Sequence, residues 1–146
     1  MPTHPMFDTN VFISGNPYIG MVKAHILCAV VVQELLAGRN AEDQKMLLKA
    51  ADELERRRLL VVPNKEDWYE VGKCLRKLLT SGQSGGQRFS KEYLSCLVRD
   101  ALIARCAIRA EAELITSNTV DFDRIKSVFK RLKHRTPSEF FGTRPR

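Results

Sequence analysis

Paired cysteines, a membrane-length apolar run and a phosphate-cradling glycine loop are all missing from this chain, and each absence closes off a class of protein. The cysteines, at 28, 74, 96 and 106, form no C-x-x-C pair, and none has a histidine at zinc-finger spacing. They lie among Leu, Ile, Val and Ala, which predicts small buried hydrophobes. No cysteine has a base or basic neighbour placed to activate it, so a catalytic thiol is not expected. The longest apolar runs, such as residues 26–32, are far below membrane-spanning length. The opening Met1-Pro-Thr-His-Pro-Met lacks the basic start and apolar centre of a secretory signal, which predicts a cytosolic protein with no membrane association. Residues 81–86 hold three glycines but follow a predicted helix and lack the Lys-Ser/Thr of a nucleotide-binding loop, so a plain linker is expected. No internal repeat or low-complexity tract is visible.

What remains is an ordinary globular composition with an unusual charge layout. At 146 residues, 44% apolar and 28% charged, the chain suits one well-cored domain spanning 1–146, with a basic tail from about 137. The net charge is +7, from 24 Lys and Arg against 17 Asp and Glu. Much of the excess lies late, in Arg124, Lys126, Lys130, Arg131, Lys133 and Arg135, with Arg144 and Arg146 at the end. Such a surface attracts a polyanion. A basic surface placed beside an acidic pocket would bring that polyanion to a bound metal ion.

Short β-branched runs alternate with helical patterns. Residues 6–13 read as a buried strand ended by Ser14-Gly15-Asn16-Pro17. Residues 26–32 read as a strand giving way to a short helix with Glu34 in its first turn. Helices are predicted over 41–58 and 67–80, with a strand at 59–62 between them. Ser90 caps a long helix running to about 112, followed by a strand at 114–116, a small helix at 119–129 and an edge strand at 132–136. This alternation predicts an α/β fold with a mainly parallel sheet. Ligands in such sheets gather at the carboxyl ends of the strands.

Asp8, Glu34, Asp100 and Asp121 all sit in apolar surroundings. An ionised carboxylate there is costly unless it is paired or bound to a cation. Asp8 interrupts Met6-Phe7-Asp8-Thr9-Asn10-Val11, where the apolar residues continue on both sides, and metal ligation is preferred to a capping role. Asp100, with Cys96, Ile103 and Ala104 at helical spacing, faces the core, and Arg99 and Arg105 stand at the wrong spacing to pair with it directly. Glu34 has the alternative of stabilising a helix start. Asp121 competes with Asp123, and either Asn118 or Thr119 can cap the helix there. The chemistry of the set suits Mg²⁺, a hard ion that takes oxygen ligands, keeps several waters and needs only one or two direct carboxylates. Such an ion polarises a phosphodiester and generates a nucleophile from water for in-line attack, leaving a 5′-phosphate and a 3′-hydroxyl. One ion or two remain equally open. His4, His25 and His134 fall outside these motifs, which argues against histidine-based phosphodiester cleavage, and an ordinary surface position is an equal reading for His25 and His134.

Taken together and in order, these segments resemble the PIN-domain nucleases, specifically the small VapC-type toxins of bacterial toxin–antitoxin pairs. The likeness is carried by Phe7-Asp8-Thr9-Asn10-Val11, Val32-Gln33-Glu34-Leu35, Arg99-Asp100-Ala101-Leu102-Ile103-Ala104 and Thr116-Ser117-Asn118 with Asp121-Phe122. It extends from about residue 6 to 136. The resemblance implies a three-layer α/β/α sandwich that binds Mg²⁺ or Mn²⁺ and cleaves RNA. It implies Asp8 and Asp100 as principal metal ligands, with Glu34 and Asp121 completing the acidic pocket, Asp121 through water. Thr9, Asn10, Thr116 and Asn118 would orient ligands or waters from behind. Arg105 stands where the family often has a small residue, and Ser117 where a basic or polar one is frequent. The resemblance also implies a homodimer and a cognate antitoxin, with the helices at 41–58 and 67–80 as candidate contacts; covering the sheet is the preferred reading for most of their apolar residues, and Trp68 and Tyr69 stand open between contact anchors and core. Two other readings stay open: an RNA-processing nuclease without an antitoxin, and a PIN scaffold that binds RNA or protein without cleaving.

Overall fold

The computed structural model describes residues 4–15, 24–81 and 89–142. Five short strands run parallel: β1 (Pro5–Phe7), β2 (Leu27–Cys28), β3 (Leu60–Val61), β4 (Glu113–Ile115) and β5 (His134–Arg135). Strands β1, β4 and β5 form one sheet with β4 in the middle, while β2 pairs with β3. A bridge between Met6 and Ile26 joins the two, so the strands lie in the spatial order β3-β2-β1-β4-β5. Parallel strands need crossovers, and helices supply them. These are α1 (Thr9–Ile13), α2 (Ala29–Ala37), α3 (Ala41–Arg56), α4 (Lys65–Thr80), α5 (Lys91–Arg109) and α6 (Thr119–Val128), with α7 (Pro137–Phe141) after β5.

Capping chemistry fixes the helix starts. Asn40, Asn64, Ser90 and Asn118 each accept a hydrogen bond from a backbone N–H in the first turn. Asn64 and Asp67 form a reciprocal capping box, with the Asp67 carboxylate accepting from the Asn64 N–H. Asp67 is fully buried, and Arg105 and Arg109 of α5 both reach it. Arg105 also lies over the Phe129 ring, which accounts for a large cation at a position where a small residue was expected. The main core is built from α2, α5 and the strands, with Met6, Val31, Leu97, Ile103 and Leu114 fully buried. A smaller cluster of Phe7, Val11, Ile115 and Phe141 closes one end.

Several sequence expectations are corrected. Residues 6–13 are not one strand: the chain leaves β1 after Phe7 and turns into α1, with Asp8 as its N-cap. The strand expected at 26–32 stops at Cys28, and Val30, Val31 and Val32 are buried inside α2. A short apolar run has no period that separates a strand from a buried helix, and burial on all sides overrides the β preference of valine. Glu34 therefore sits in the second turn of α2 and not the first. The expected tail at 137 is instead α7, whose Phe141 packs on Phe7. Residues 143–146, and most of the expected 81–86 linker, lie outside the described residues. Cys28, Cys74 and Cys106 are buried as expected, but Cys96 is exposed. His134 is not a surface residue either: its side chain is 10% exposed and pairs with Asp123 at 3.0 Å. His25 is half-buried and packs on Phe7 and Phe12. Among the described residues, no helix is long and apolar enough to cross a membrane.

Candidate active site

The carboxyl ends of β1 and β4 lie side by side, because Phe7 is in register with Ile115. The residues that follow them, Asp8 and Thr116, are therefore neighbours. Thr116 Oγ1 donates to Asp8 Oδ2 at 2.7 Å, in a spot where both residues are buried. Asp8 Oδ1 accepts from the Thr9 N–H at 2.8 Å, so the capping role weighed against metal ligation is realised. The two roles coexist, since each carboxylate oxygen has two acceptor sites. Asn10 completes this corner: its amide nitrogen donates to Asp8 Oδ2 at 3.0 Å and to Thr116 Oγ1 at 3.2 Å, and its oxygen accepts from the Ser117 N–H.

Three helices bring the remaining carboxylates to the same pocket. From α2, Glu34 points toward α1, where Thr9 Oγ1 donates to it at 3.1 Å. Arg99 of α5 stands 3.8 Å from the other Glu34 oxygen, and Arg105 is bound to Asp67, so neither arginine pairs with Asp100. Asp100 is half-buried, turned into the pocket rather than the core, and its Oδ2 accepts from Asn118 Nδ2 at 3.3 Å. The same nitrogen donates to Asp121 Oδ2 at 3.0 Å. Asn118 is the N-cap of α6, resolving the choice between it and Thr119, and Asp123 points away to His134. The result is a cleft of about 360 Å³ lined by Asp8, Glu34, Asp100 and Asp121 together with Asn10 and Asn118.

The electrostatics follow from this crowding. Burial raises the Asp8 carboxyl above its ordinary range despite its three hydrogen bonds. Glu34 is also raised, by burial and then by the Asp8 charge, against the pull of Thr9 and Arg99. Asp100 is pushed up to about 8, first by burial and then by Asp8, Asp121 and Glu34. Such carboxylates disfavour one another's ionisation, and a cation reverses that penalty. Among the described residues, no three His, Cys, Asp or Glu side chains stand in a ready-made ligand cluster. Glu34 leans on Thr9, and Asp121 leans on Tyr93, whose hydroxyl donates to it at 2.5 Å. The donor set nevertheless fits a hard dication, which needs only one or two direct carboxylates and fills its shell with water. Asp8 and Asp100 retain oxygen acceptor sites for it.

Sequence reasoning missed the site's rim. Tyr93 and Cys96 line the cleft with Asp100, and their spacing along α5 puts all of them on one helical face. Extending the helical period backward from Asp100 would have found both. Arg124 lies over the Phe89 and Tyr93 rings and donates to the Tyr93 hydroxyl. That hydroxyl is pushed up to about 12, by burial and then by the neighbouring Asp121.

The PIN domain family model matches residues 6–128. Among solved structures, the chain is similar to VapBC2 from Rickettsia felis bound to a DNA fragment from the promoter, at 20% identity and a TM-score of 0.60, covering 92% of this chain and 98% of that one. It is similar to VapBC-1 from nontypeable Haemophilus influenzae, at 20% identity and 0.57, with the same coverage. FitAcB from Neisseria gonorrhoeae matches at 14% identity and 0.58, covering 88% of this chain and 94% of that one. No curated protein matches. The family match spans the carboxyl ends of β1 and β4 and all three site helices, and the chain belongs to the PIN-domain family.

Proposed function

We propose that this protein is a metal-dependent endoribonuclease acting in the cytoplasm, the toxin of a type II toxin–antitoxin pair. The observation that carries the reading is the convergence of Asp8, Glu34, Asp100 and Asp121 on one cleft at the carboxyl ends of β1 and β4. Carboxylates packed so that they suppress one another's ionisation suit a dication far better than a bare polyanion.

Asp8 and Asp100 would hold Mg²⁺ or Mn²⁺, with Glu34 and Asp121 arranged around it, Asp121 through water. When bound, the ion supplies Lewis-acid polarisation of the phosphodiester and a nucleophile from water. The chain's own residues do the positioning. Thr116, Asn10 and the Thr9 N–H lock the Asp8 carboxylate in one orientation. Asn118 holds Asp100 and Asp121 at a fixed separation through one amide nitrogen. Glu34, raised above its ordinary range and open to the cleft, is placed to accept a proton from an attacking water. Arg99, beside Glu34, and Arg124, beside Tyr93, are placed at the cleft's rim to draw in phosphates.

The antitoxin partner is supported by the VapBC and FitAcB complexes to which this fold is similar. Exposed Met46 on α3 and exposed Trp68 and Tyr69 on α4 leave apolar surface for that partner or for a second copy in a homodimer. The deciding experiment is cleavage of total cellular RNA by the purified chain with Mg²⁺ or Mn²⁺, beside EDTA and Asp100→Asn controls. Discrete fragments that vanish in both controls are expected. Cleavage that persists in EDTA, or a folded protein that cleaves nothing, would overturn the reading.

A further inference from the structure

The late basic run does not gather around the acidic cleft. Of its described residues, only Arg124 stands at that rim, and Arg135 is spent on Glu113, at 2.7 Å, and on the Phe140 ring. Lys126, Lys130, Arg131 and Lys133 instead line a second cleft of about 650 Å³, larger than the acidic one, between the end of α5, the end of α6 and the approach to β5. Its floor includes Ala112 and Leu132, which precede β4 and β5. The acidic cleft opens at the carboxyl ends of the sheet, and the basic one at the amino ends. Helix α6 connects them, with Asn118 and Asp121 at its start and Lys126 near its finish. Its 10 residues span about 15 Å at the usual rise.

The basic cleft is built to stay cationic. Lys130, Arg131 and Lys133 are exposed, and no salt bridge ties them down among the described residues. Lys126 is held in place by donating to the Leu132 carbonyl at 2.6 Å. Of the two carboxylates on the lining, Glu113 is already neutralised by Arg135, which leaves Glu111 alone against four cations. A concave surface with one sign of charge concentrates the opposite ion.

We propose that this cleft binds the phosphate backbone of RNA at a distance from the scissile bond, so that the polyanion runs along α6 from one cleft to the other. The identity of the polyanion rests on the nuclease reading above; the cleft's preference for phosphate does not. Long RNA reaches both clefts, and a short oligonucleotide held at the acidic one does not. The basic cleft thereby selects for extended substrates without reading their sequence, since phosphate contacts position and base contacts specify.

The test uses the full chain carrying Asp100→Asn, in EDTA, with fluorescein-labelled short and long single-stranded RNA followed by anisotropy. Lys130→Ala/Arg131→Ala/Lys133→Ala should weaken binding of the long RNA about tenfold or more. It should also flatten the slope of log K against log salt by about 0.7 for each phosphate that is no longer neutralised. Short RNA, with no metal to hold it at the acidic cleft under these conditions, should bind weakly and should weaken further in the same triple variant. Lys45→Ala/Lys49→Ala/Arg57→Ala removes the same charge from exposed positions on α3 and at its C-cap and should have little effect. Glu111→Gln, which deletes the opposing charge, should tighten long RNA. Equal losses in the two triple variants would overturn the proposal, and so would a cleft that holds labelled polyglutamate more tightly than RNA, which would assign it to an acidic protein partner. The first triple variant with Asp100 intact separates the two readings. RNA cleaved normally, with no change in long-RNA affinity, sinks the basic cleft alone, whereas a wild type that neither binds nor cleaves RNA sinks both.

Discussion

Arg109 grips the buried Asp67 carboxylate with two nitrogens, Nε at 3.2 Å and an Nη at 2.8 Å, and the same Nη also donates to the Val62 carbonyl at 2.6 Å. The pair fastens the end of α5 to the start of α4. Helix α5 is also the element that carries Tyr93, Cys96 and Asp100 into the acidic cleft, so a structural clamp sets the height of a functional face. Asp67→Ala should cost about 1–3 kcal/mol, from the lost capping box and charge-assisted hydrogen bonds, since both arginines left behind are partly exposed to solvent. Chemical denaturation should report a lower midpoint for this variant, and a midpoint unchanged from wild type would mean the clamp holds nothing.

The same clamp makes an acid-sensitivity prediction. Burial raises Asp67, but its hydrogen bonds from Asn64 and Arg109 and the charges of Arg109 and Arg105 outweigh that and hold it below the ordinary carboxylate range. A depressed carboxyl contributes stability above its unfolded pKa and loses it as pH falls through the folded one. Melting temperature should therefore drop steeply below about pH 4. In Asp67→Asn the contribution of this group to that drop should disappear.

Asp100 has the opposite sign. Its folded pKa, near 8, lies above the unfolded carboxylate value, so the native state holds the proton more tightly. Metal-free protein should therefore lose stability as pH rises from about 4 to 8. Adding Mn²⁺ or Mg²⁺ at pH 8 should raise the melting temperature, and Asp100→Asn should flatten the pH dependence and abolish the metal response. A metal-induced rise of equal size in that variant would place the ion elsewhere.

Asn118 joins capping to site geometry, since one side chain starts α6 and spans Asp100 and Asp121. Asn118→Ala should remove about 1 kcal/mol of helix stability. It should also cost roughly 10–100-fold in metal affinity or cleavage, as changes behind a metal site commonly do. Asn118→Ser keeps a capping oxygen but cannot span the two carboxylates. It should recover stability without activity, and recovery of both together would leave the span without a role.

Glu111 adopts φ 53°, a left-handed conformation, at the turn that ends α5. Glycine is the usual residue there, because a Cβ makes that region costly by about 1 kcal/mol. Glu111→Gly should raise stability by about that amount, readable as an increase in the unfolding midpoint.

The strand-helix alternation and the acidic set were legible because both depend on local pattern. Ser90 marks a helix start, and the apolar frames of Asp8 and Asp100 mark carboxylates that need a reason; the Asn64 capping box, which starts α4 two residues before the expected 67, was not read. What escaped was decided by packing between distant segments. Val30–Val32 read as strand because a wholly apolar β-branched run carries no helical period, and they fold instead as buried residues of α2. The Asp67 clamp joins residues 38 and 42 positions apart, and no period along one helix announces it. The basic run was visible as charge, but the end of the sheet on which it falls depends on the direction of α6.

Asp8 and Thr116, bonded at 2.7 Å, are separated by 108 positions, and β1 rests on β4 along its whole length. During synthesis β1 leaves the ribosome long before its partner exists. The pocket can close only once the chain has been made beyond Asp121, and a nascent or truncated chain carries the early carboxylates without their counterparts. The acidic cleft is therefore among the last features of the chain to be completed, whatever it acts on.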